Sequence, residues 1–199
     1  SAKPVEADAF IICVPTPLTR TQEVQNSPDS LQNTETGVAL TEVAAASAFE
    51  NHGTTNAPAT LPSADLSYVQ SAVESIAPVL RRGNLVVVES TVPPGTTENL
   101  VLPILERHGW TREDILLAHG PERVLPGAIL RELVENDRVV GGLTPEATEA
   151  AKELYATFVK GEIFTTDAKT AEFVKLIENT YRDVNIALAN EFARVAEYL

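Results

Sequence analysis

Lys175, Asn179 and Arg182 lie at i, i+4 and i+7 within the run 170–191. That spacing places a cation, an amide and a second cation on one face of a helix. Phe173, Val174, Ile177, Val184, Ile186 and Leu188 occupy the other positions, so much of this helix is expected to be buried. A buried helix does not ordinarily carry an unpaired Lys and Arg, because desolvating a charge is costly. The stripe therefore points to a pocket for an anionic or polar ligand. The competing reading is a surface stripe of solvated residues, and the helix by itself does not choose between them.

Such a helix needs a body to stand on, and the rest of the chain supplies one. A strand is predicted over 9–14, followed by the rigid turn Pro15-Thr-Pro17. Residues 18–64 are rich in Thr, Ser, Asn, Gln, Pro and Ala, with one possible short helix over 40–49. A loop this long is unusual inside a compact domain, so it reads as a mobile insertion. Asp65 is placed to cap a helix over 68–80, with Val69, Val73, Ile76 and Leu80 on one stripe. Arg81-Arg-Gly83 ends it. Residues 85–88 are wholly apolar, as in a parallel strand covered on both faces. A helix over 97–108, a strand over 115–118, a short helix over 130–134 and a strand over 138–140 follow. Pro145 takes position N1 of a helix over 146–159, a strand covers 162–165, and Asp167 caps the long final helix. Alternating strands and helices predict an α/β fold with a doubly wound parallel sheet.

Composition narrows the classes. The net charge is -13, from 28 acidic against 15 basic residues, which argues against a nucleic-acid surface. An anionic ligand would have to be held by local cations. Cys13 is the only cysteine, so no internal disulfide forms, and its place in an apolar strand predicts a packed, inert thiol. No apolar run approaches a membrane span and no secretory signal opens the chain, so the expectation is a cytoplasmic protein. No metal ligand set is assigned.

Ligands of open parallel sheets bind at the C-terminal ends of strands. Three unusual loops fall there: Val14-Pro-Thr-Pro17, Glu89-Ser-Thr-Val-Pro-Pro-Gly-Thr96 and Gly120-Pro-Glu-Arg-Val-Leu-Pro-Gly127. Each alone reads more readily as turn chemistry, since Pro, Gly, Ser and Thr are ordinary turn residues, but three at successive strand ends favour a shared cleft. Ser90 and Thr91 precede a helix N-terminus, a ready anion site. Arg123 offers a planar fork to a phosphate; the alternative for it is a surface salt bridge.

These loops, together with Ala9-Phe-Ile-Ile-Cys-Val-Pro-Thr-Pro17, Asn136-Asp-Arg-Val-Val-Gly-Gly142 and the run 170–187, resemble the UDP-glucose/GDP-mannose dehydrogenases. Five motifs occur in the same order, over nearly all the chain outside 18–64. The run Pro121-Glu-Arg-Val-Leu-Pro-Gly127 is most similar to the UDP-N-acetyl-D-mannosamine branch. UDP-glucose enzymes usually carry Pro-Glu-Phe-Leu there, with a second Glu where Pro126 stands. The resemblance implies a Rossmann-like NAD-binding domain, its later part spanning 1–166, and the start of a central helical domain over 167–199. It implies oxidation of a UDP-sugar C6 alcohol to the carboxylate with two NAD, through an aldehyde held on a cysteine. It further implies that Thr16 and Thr91 contact NAD, and that Arg123, Val124 and Arg182 hold the UDP-sugar. Lys175 would donate and accept the proton at the C6 oxygen, and Asn179 would bind substrate and position water or an oxyanion. A Lys suits proton transfer where burial or a nearby cation such as Arg182 lowers its pKa. A homodimer through the central helix is implied as well.

Departures from the family pattern set further expectations. The Gly-x-Gly-x-x-Gly turn should precede Ser1, and the catalytic cysteine with its UDP-binding domain should follow Leu199. Cys13 falls in a strand of the NAD domain and does not replace that nucleophile. Gly120 stands where the family commonly has Cys. The chain is therefore expected to be a central piece, inactive alone, with an exposed sheet edge that favours self-association. Alternatives are UDP-glucose or another nucleotide sugar as substrate, a non-catalytic nucleotide-sugar binding remnant, and a distant hydroxyacid dehydrogenase, against which the loop 121–127 argues.

Overall fold

The structure, a computed structural model, describes residues 4–19, 63–124 and 127–199. The body of the polar insertion and the short helix expected over 40–49 lie outside the described residues. The stem of the insertion is described: Leu18 bridges Ala64 antiparallel, and Thr19 N donates to Ser63 O at 2.7 Å.

Among the described residues five strands and five α-helices follow in order: β1 (Ala9–Ile12), α1 (Ser67–Ile76), β2 (Leu85–Val88), α2 (Leu102–Arg107), β3 (Leu116–His119), α3 (Ile129–Glu135), β4 (Arg138–Gly142), α4 (Pro145–Ala156), β5 (Ile163–Asp167) and α5 (Ala168–Tyr198). The sheet runs β1-β2-β3-β4-β5, and every pairing is parallel except β3–β4. That antiparallel contact is confined to Ala118↔Gly142 and His119↔Gly141. The α/β, parallel-dominated Rossmann-like architecture expected from the alternation of elements is present.

β2 explains the central layer. Val86 and Val88 pack with Val69, Val73, Ile104 and Leu105 of α1 and α2, while Leu85 and Val87 pack with Ala151 and Tyr155 of α4. All four β2 residues are buried, which is why the run carries no polar alternation. Pro78, lacking an N–H, closes α1 with a tight turn over Ala77–Val79 rather than a longer helix. Asp65 accepts from Ser67 N at 2.9 Å, one residue before the helical cap position. Thr144 Oγ1 accepts from Ala147 N at 3.2 Å, with Pro145 at N1 of α4.

β4 runs on through Gly141 and Gly142, past the end predicted from apolar periodicity. A Cβ at Gly141 would stand 2.2 Å from Asp167 O, and one at Gly142 would stand 2.5 Å from Thr148 N. Only glycine lets β4 pass between β5 and α4, so residues that read as a strand terminator are the strand's closest contacts.

Two expectations are corrected. Cys13 is exposed, because β1 is an edge strand that ends at Ile12. The thiol is nonetheless pushed up from its ordinary pKa by partial burial and by the negative charges of Glu89 and Glu122. The second correction concerns α5. Its buried residues are Ala168, Ala171 and Glu172 alone. Phe173, Ile177, Tyr181, Val184, Leu188, Phe192 and Val195 are all exposed, Tyr181 by 72%. Only the first turns lie against the sheet, through Ala168, Ala171 and the polar stripe that begins at Glu172.

Candidate active site

Asp167 starts α5 by accepting from Thr170 N at 2.9 Å and from its hydroxyl at 2.7 Å. From that cap, Glu172, Lys175 and Glu178 recur at i, i+3 and i+6 and meet two of the strand-end loops. The Glu172 carboxylate accepts from Gly95 N, from Thr97 N at 2.7 Å and from Thr97 Oγ1 at 2.6 Å. Lys175 Nζ donates to the backbone oxygen of Glu122 at 2.5 Å. Glu178 receives the Arg123 guanidinium, with Nε at 3.1 Å, and Arg123 Nη1 reaches Asp137 O at 3.1 Å. Asn179 Oδ1 accepts from Arg182 Nη2 at 3.3 Å. The polar stripe is thus a docking seam over the ends of β2 and β3.

The seam tunes its own charges. Burial is the largest influence on Lys175 and lowers its pKa below 10.5; Arg182 and Arg123 lower it further, and Glu122 and Glu178 oppose. Lowering is the direction that favours proton transfer by a Lys. Glu172 is 1% exposed, and burial raises its carboxyl above the ordinary range while the donors of Thr97 and Gly95 pull it back.

Arg123, Val124 and Arg182 share the wall of a groove of about 450 Å³ with Glu132, Asn136, Glu178 and Tyr181. Lys175 and Asn179 are half-buried beside it but do not line it. Arg123 is no free fork, since Glu178 takes it by two nitrogens. The groove therefore offers the exposed Arg182 as its more available cation.

Thr16 and Thr91 stand together at the ends of β1 and β2. Thr16 Oγ1 donates to Thr91 O at 2.7 Å. Ser90 Oγ accepts from Val14 N at 2.8 Å and donates to Val14 O at 2.9 Å, stapling the two strand ends. Among the described residues the half-buried Thr91 hydroxyl makes no hydrogen bond, and Thr16 keeps acceptor capacity. One free hydroxyl and one acceptor on a stapled edge fit contacts to a polar dinucleotide such as NAD.

Six further titratable groups, Glu89, Arg138, Tyr155, His119, Glu122 and Glu172, have no role assigned from the sequence. The Glu89 carboxylate accepts from Tyr155 Oη at 2.9 Å and from Arg138 Nη1 at 3.4 Å, and the Arg138 guanidinium stands 5.1 Å from the Tyr155 ring centroid. Burial and Glu89 push the Tyr155 phenol up. The same ring explains Gly120: a Cβ there would sit 3.0 Å from Tyr155 Cε2, so a larger residue requires the ring to move. His119 is fully buried, with neither ring nitrogen bonded among the described residues. Desolvation lowers its pKa to about 3. Glu122 Oε1 is buried and unpartnered among the described residues, on the residue whose carbonyl holds Lys175. Glu172 could not be found by spacing, because its partners are more than 70 residues away in sequence.

Comparison with known proteins accounts for this arrangement. Residues 1–159 match the profile of the UDP-glucose/GDP-mannose dehydrogenase family, NAD binding domain, and residues 169–199 match its central domain. The chain is 48% identical over 195 residues to the UDP-N-acetyl-D-mannosamine dehydrogenase of Methanocaldococcus jannaschii, covering 98% of this chain and 36% of that protein. It is 54% identical over 142 residues to the NDP-N-acetyl-D-galactosaminuronic acid dehydrogenase of Ralstonia nicotianae, covering 67% of this chain and 33% of the relative. The native structure of the UDP-N-acetyl-mannosamine dehydrogenase Cap5O from Staphylococcus aureus superposes with a TM-score of 0.71 at 44% identity, over 98% of this chain and 38% of that one. The chain thus spans little more than a third of the length of the relatives it matches. With a capped α5 set across the strand ends of a sheet that matches an NAD-binding domain, this chain belongs to the UDP-glucose/GDP-mannose dehydrogenase family.

Proposed function

We propose that the complete gene product oxidises the C6 alcohol of UDP-N-acetyl-D-mannosamine to the carboxylate. The observation that carries this reading is Lys175: a half-buried amine with a lowered pKa, fixed to the loop after β3 beside the Arg123–Arg182 groove. The identity to UDP-N-acetyl-D-mannosamine dehydrogenases over nearly the whole chain supports the sugar.

NAD, when bound, supplies the hydride acceptor. The overall change consumes one alcohol, two NAD⁺ and one water, and yields one carboxylate, two NADH and three protons. In its neutral form Lys175 takes the proton from the C6 hydroxyl; in its charged form it offsets negative charge on the same oxygen. Asn179 binds substrate and orients water or an oxyanion. Arg123, Val124 and Arg182 hold the nucleotide sugar, with Arg182 as the direct cation and Arg123 braced by Glu178. Thr16 and Thr91 contact the cofactor. We assign residues 1–166 to the NAD-binding domain and 167–199 to the helical domain, and the protein to the cytoplasm. Among the described residues no helix is long and apolar enough to cross a membrane. The exposed apolar stripe of α5 is assigned to a homodimer contact.

The test is to incubate the purified complete gene product with UDP-N-acetyl-D-mannosamine and NAD⁺ and count NADH. Two NADH per sugar is the expected result. The match to an NDP-N-acetyl-D-galactosaminuronic acid dehydrogenase supports a second substrate reading, another epimer of the acetamido sugar, which would show as turnover of that sugar alone. No NADH with any nucleotide sugar, despite measurable binding, would reject oxidation in favour of a binding module.

A further inference from the structure

The loop that carries Thr91 and the helix that carries Lys175 are joined by one side chain. Gly95 N, Thr97 N and Thr97 Oγ1 all donate to the Glu172 carboxylate, and the backbone N–H of Thr96 also acts on it. These donors stand at the start of the helical turn Thr97–Val101 that leads into α2, and that turn has no side-chain cap of its own. An unsatisfied helix N-terminus attracts a carboxylate. Here the carboxylate arrives from another element, 75 residues away. Gly95 can offer its N–H because its φ is +91°, and a Cβ there would stand 2.8 Å from Asn99 Nδ2.

The geometry continues in both directions. Upstream, the same loop is stapled to β1 by Ser90 on Val14 and by Thr16 on Thr91 O. Downstream, Lys175 follows Glu172 by three residues, a rise of about 4.5 Å. The loop from Thr91 to Thr97 is therefore held at one end by part-buried bonds to β1 and at the other by buried bonds to Glu172, on the turn of α5 that presents the amine.

We propose that Glu172 is a positioning residue: by holding Gly95 and Thr97 it sets the separation between the Thr91 loop and Lys175. Resting on the oxidation reading above, it assigns a task to a group that touches neither substrate nor cofactor. Hydride and proton leave the same carbon–oxygen unit, so the cofactor edge and the amine must be held in mutual register.

The test uses Glu172→Gln and Glu172→Asp in the complete gene product. Gln turns one acceptor into a donor facing N–H groups; Asp keeps the charge but withdraws it by one methylene. Both should lower kcat about tenfold to a hundredfold, the scale of a misplacement near 1 Å. KM for the nucleotide sugar should stay near the parent value, and the melting temperature should fall modestly because buried donors lose their acceptor, with the loss of kcat exceeding the loss of folded protein. Thr97→Val, which removes one of these donors, should lose less. Unchanged kcat in both Glu172 variants would overturn the proposal. So would a kcat that falls only in step with the melting temperature. If the parent itself oxidises no nucleotide sugar, the functional reading has failed on its own, and amide exchange still decides about the clamp. Faster exchange in Glu172→Gln both at Gly95 and Thr97 and around Lys175 supports the coupling; faster exchange at the loop alone overturns it.

Discussion

His119→Leu should flatten the acid side of the stability curve. His119 is fully buried, its ring nitrogens unpartnered among the described residues, with a folded pKa of about 3 against 6.5 when unfolded. Because the folded pKa is depressed, the unfolded chain binds the extra proton first. Stability is then full above pH 6.5 and is lost as pH falls from 6.5 towards 3. Each unit in that window costs about 1.4 kcal/mol, so lowering the pH from about 7 to about 5 removes roughly 2 kcal/mol through this group. That is a sizeable share of a domain stability of about 5–15 kcal/mol. Leucine fills a similar volume and removes two buried polar atoms, each a candidate cost of about 1–3 kcal/mol, so the variant should match or exceed the parent at neutral pH. The assay is urea unfolding of parent and variant at the two pH values. The difference between them should change by roughly 2 kcal/mol in favour of the variant at the lower pH. Curves that fall in parallel would refute the reasoning, because they would mean His119 titrates alike in both states.

Lys175→Met should lower turnover about a hundredfold to ten-thousandfold while leaving nucleotide-sugar binding measurable by calorimetry. Burial and Arg182 both hold the Lys175 pKa below 10.5, so the alkaline rise in rate should lie below that value, and Arg182→Ala should move it upward in a pH–rate profile. Gly120→Val should cost about 1–3 kcal/mol in thermal unfolding, because its side chain meets the Tyr155 ring and disturbs that phenol's bond to Glu89. If the proposed α5 homodimer forms, Leu188→Asp should abolish it in sedimentation without lowering the melting temperature of the sheet domain, since Leu188 is 50% exposed; a parent that sediments as a monomer, or a dimer that survives, would remove α5 from an interface.

The legible parts were those where one residue type has one physical use. The all-apolar run 85–88 had to be a strand covered on both faces, and it is. Pro145 at N1 and Asp167 as a cap marked helix starts that the structure bears out, while the Thr144 cap beside Pro145 was not read. The facing of α5 was not legible. An amphipathic pattern says that each face has a preference, but not which body each face meets. Here the polar stripe found complementary loop groups, and the apolar stripe found nothing among the described residues of this chain. Gly141 and Gly142 hid the end of β4, because a close approach and a break look alike in sequence. Cys13 looked buried because its neighbours are apolar, but an edge strand covers only one flank. Glu172 depended on a meeting between distant segments, which no local spacing records.

One consequence of the docked helix is mechanical. α5 has 31 residues and is about 46 Å long, gripped by the domain only through its first turns. Its exposed stripe steps by four, four and three from Phe173 to Val195, so it keeps one heading along a nearly straight rod. Side chains ride at a radius of about 5–6 Å, so a twist of about 10° carries the Lys175 amine by about 1 Å. A displacement of that size is worth about a hundredfold in rate when reacting groups must be aligned. A partner seated on the far end of α5, as in the dimer proposed above, would therefore exert torque on the amine and turn an assembly contact into an alignment setting.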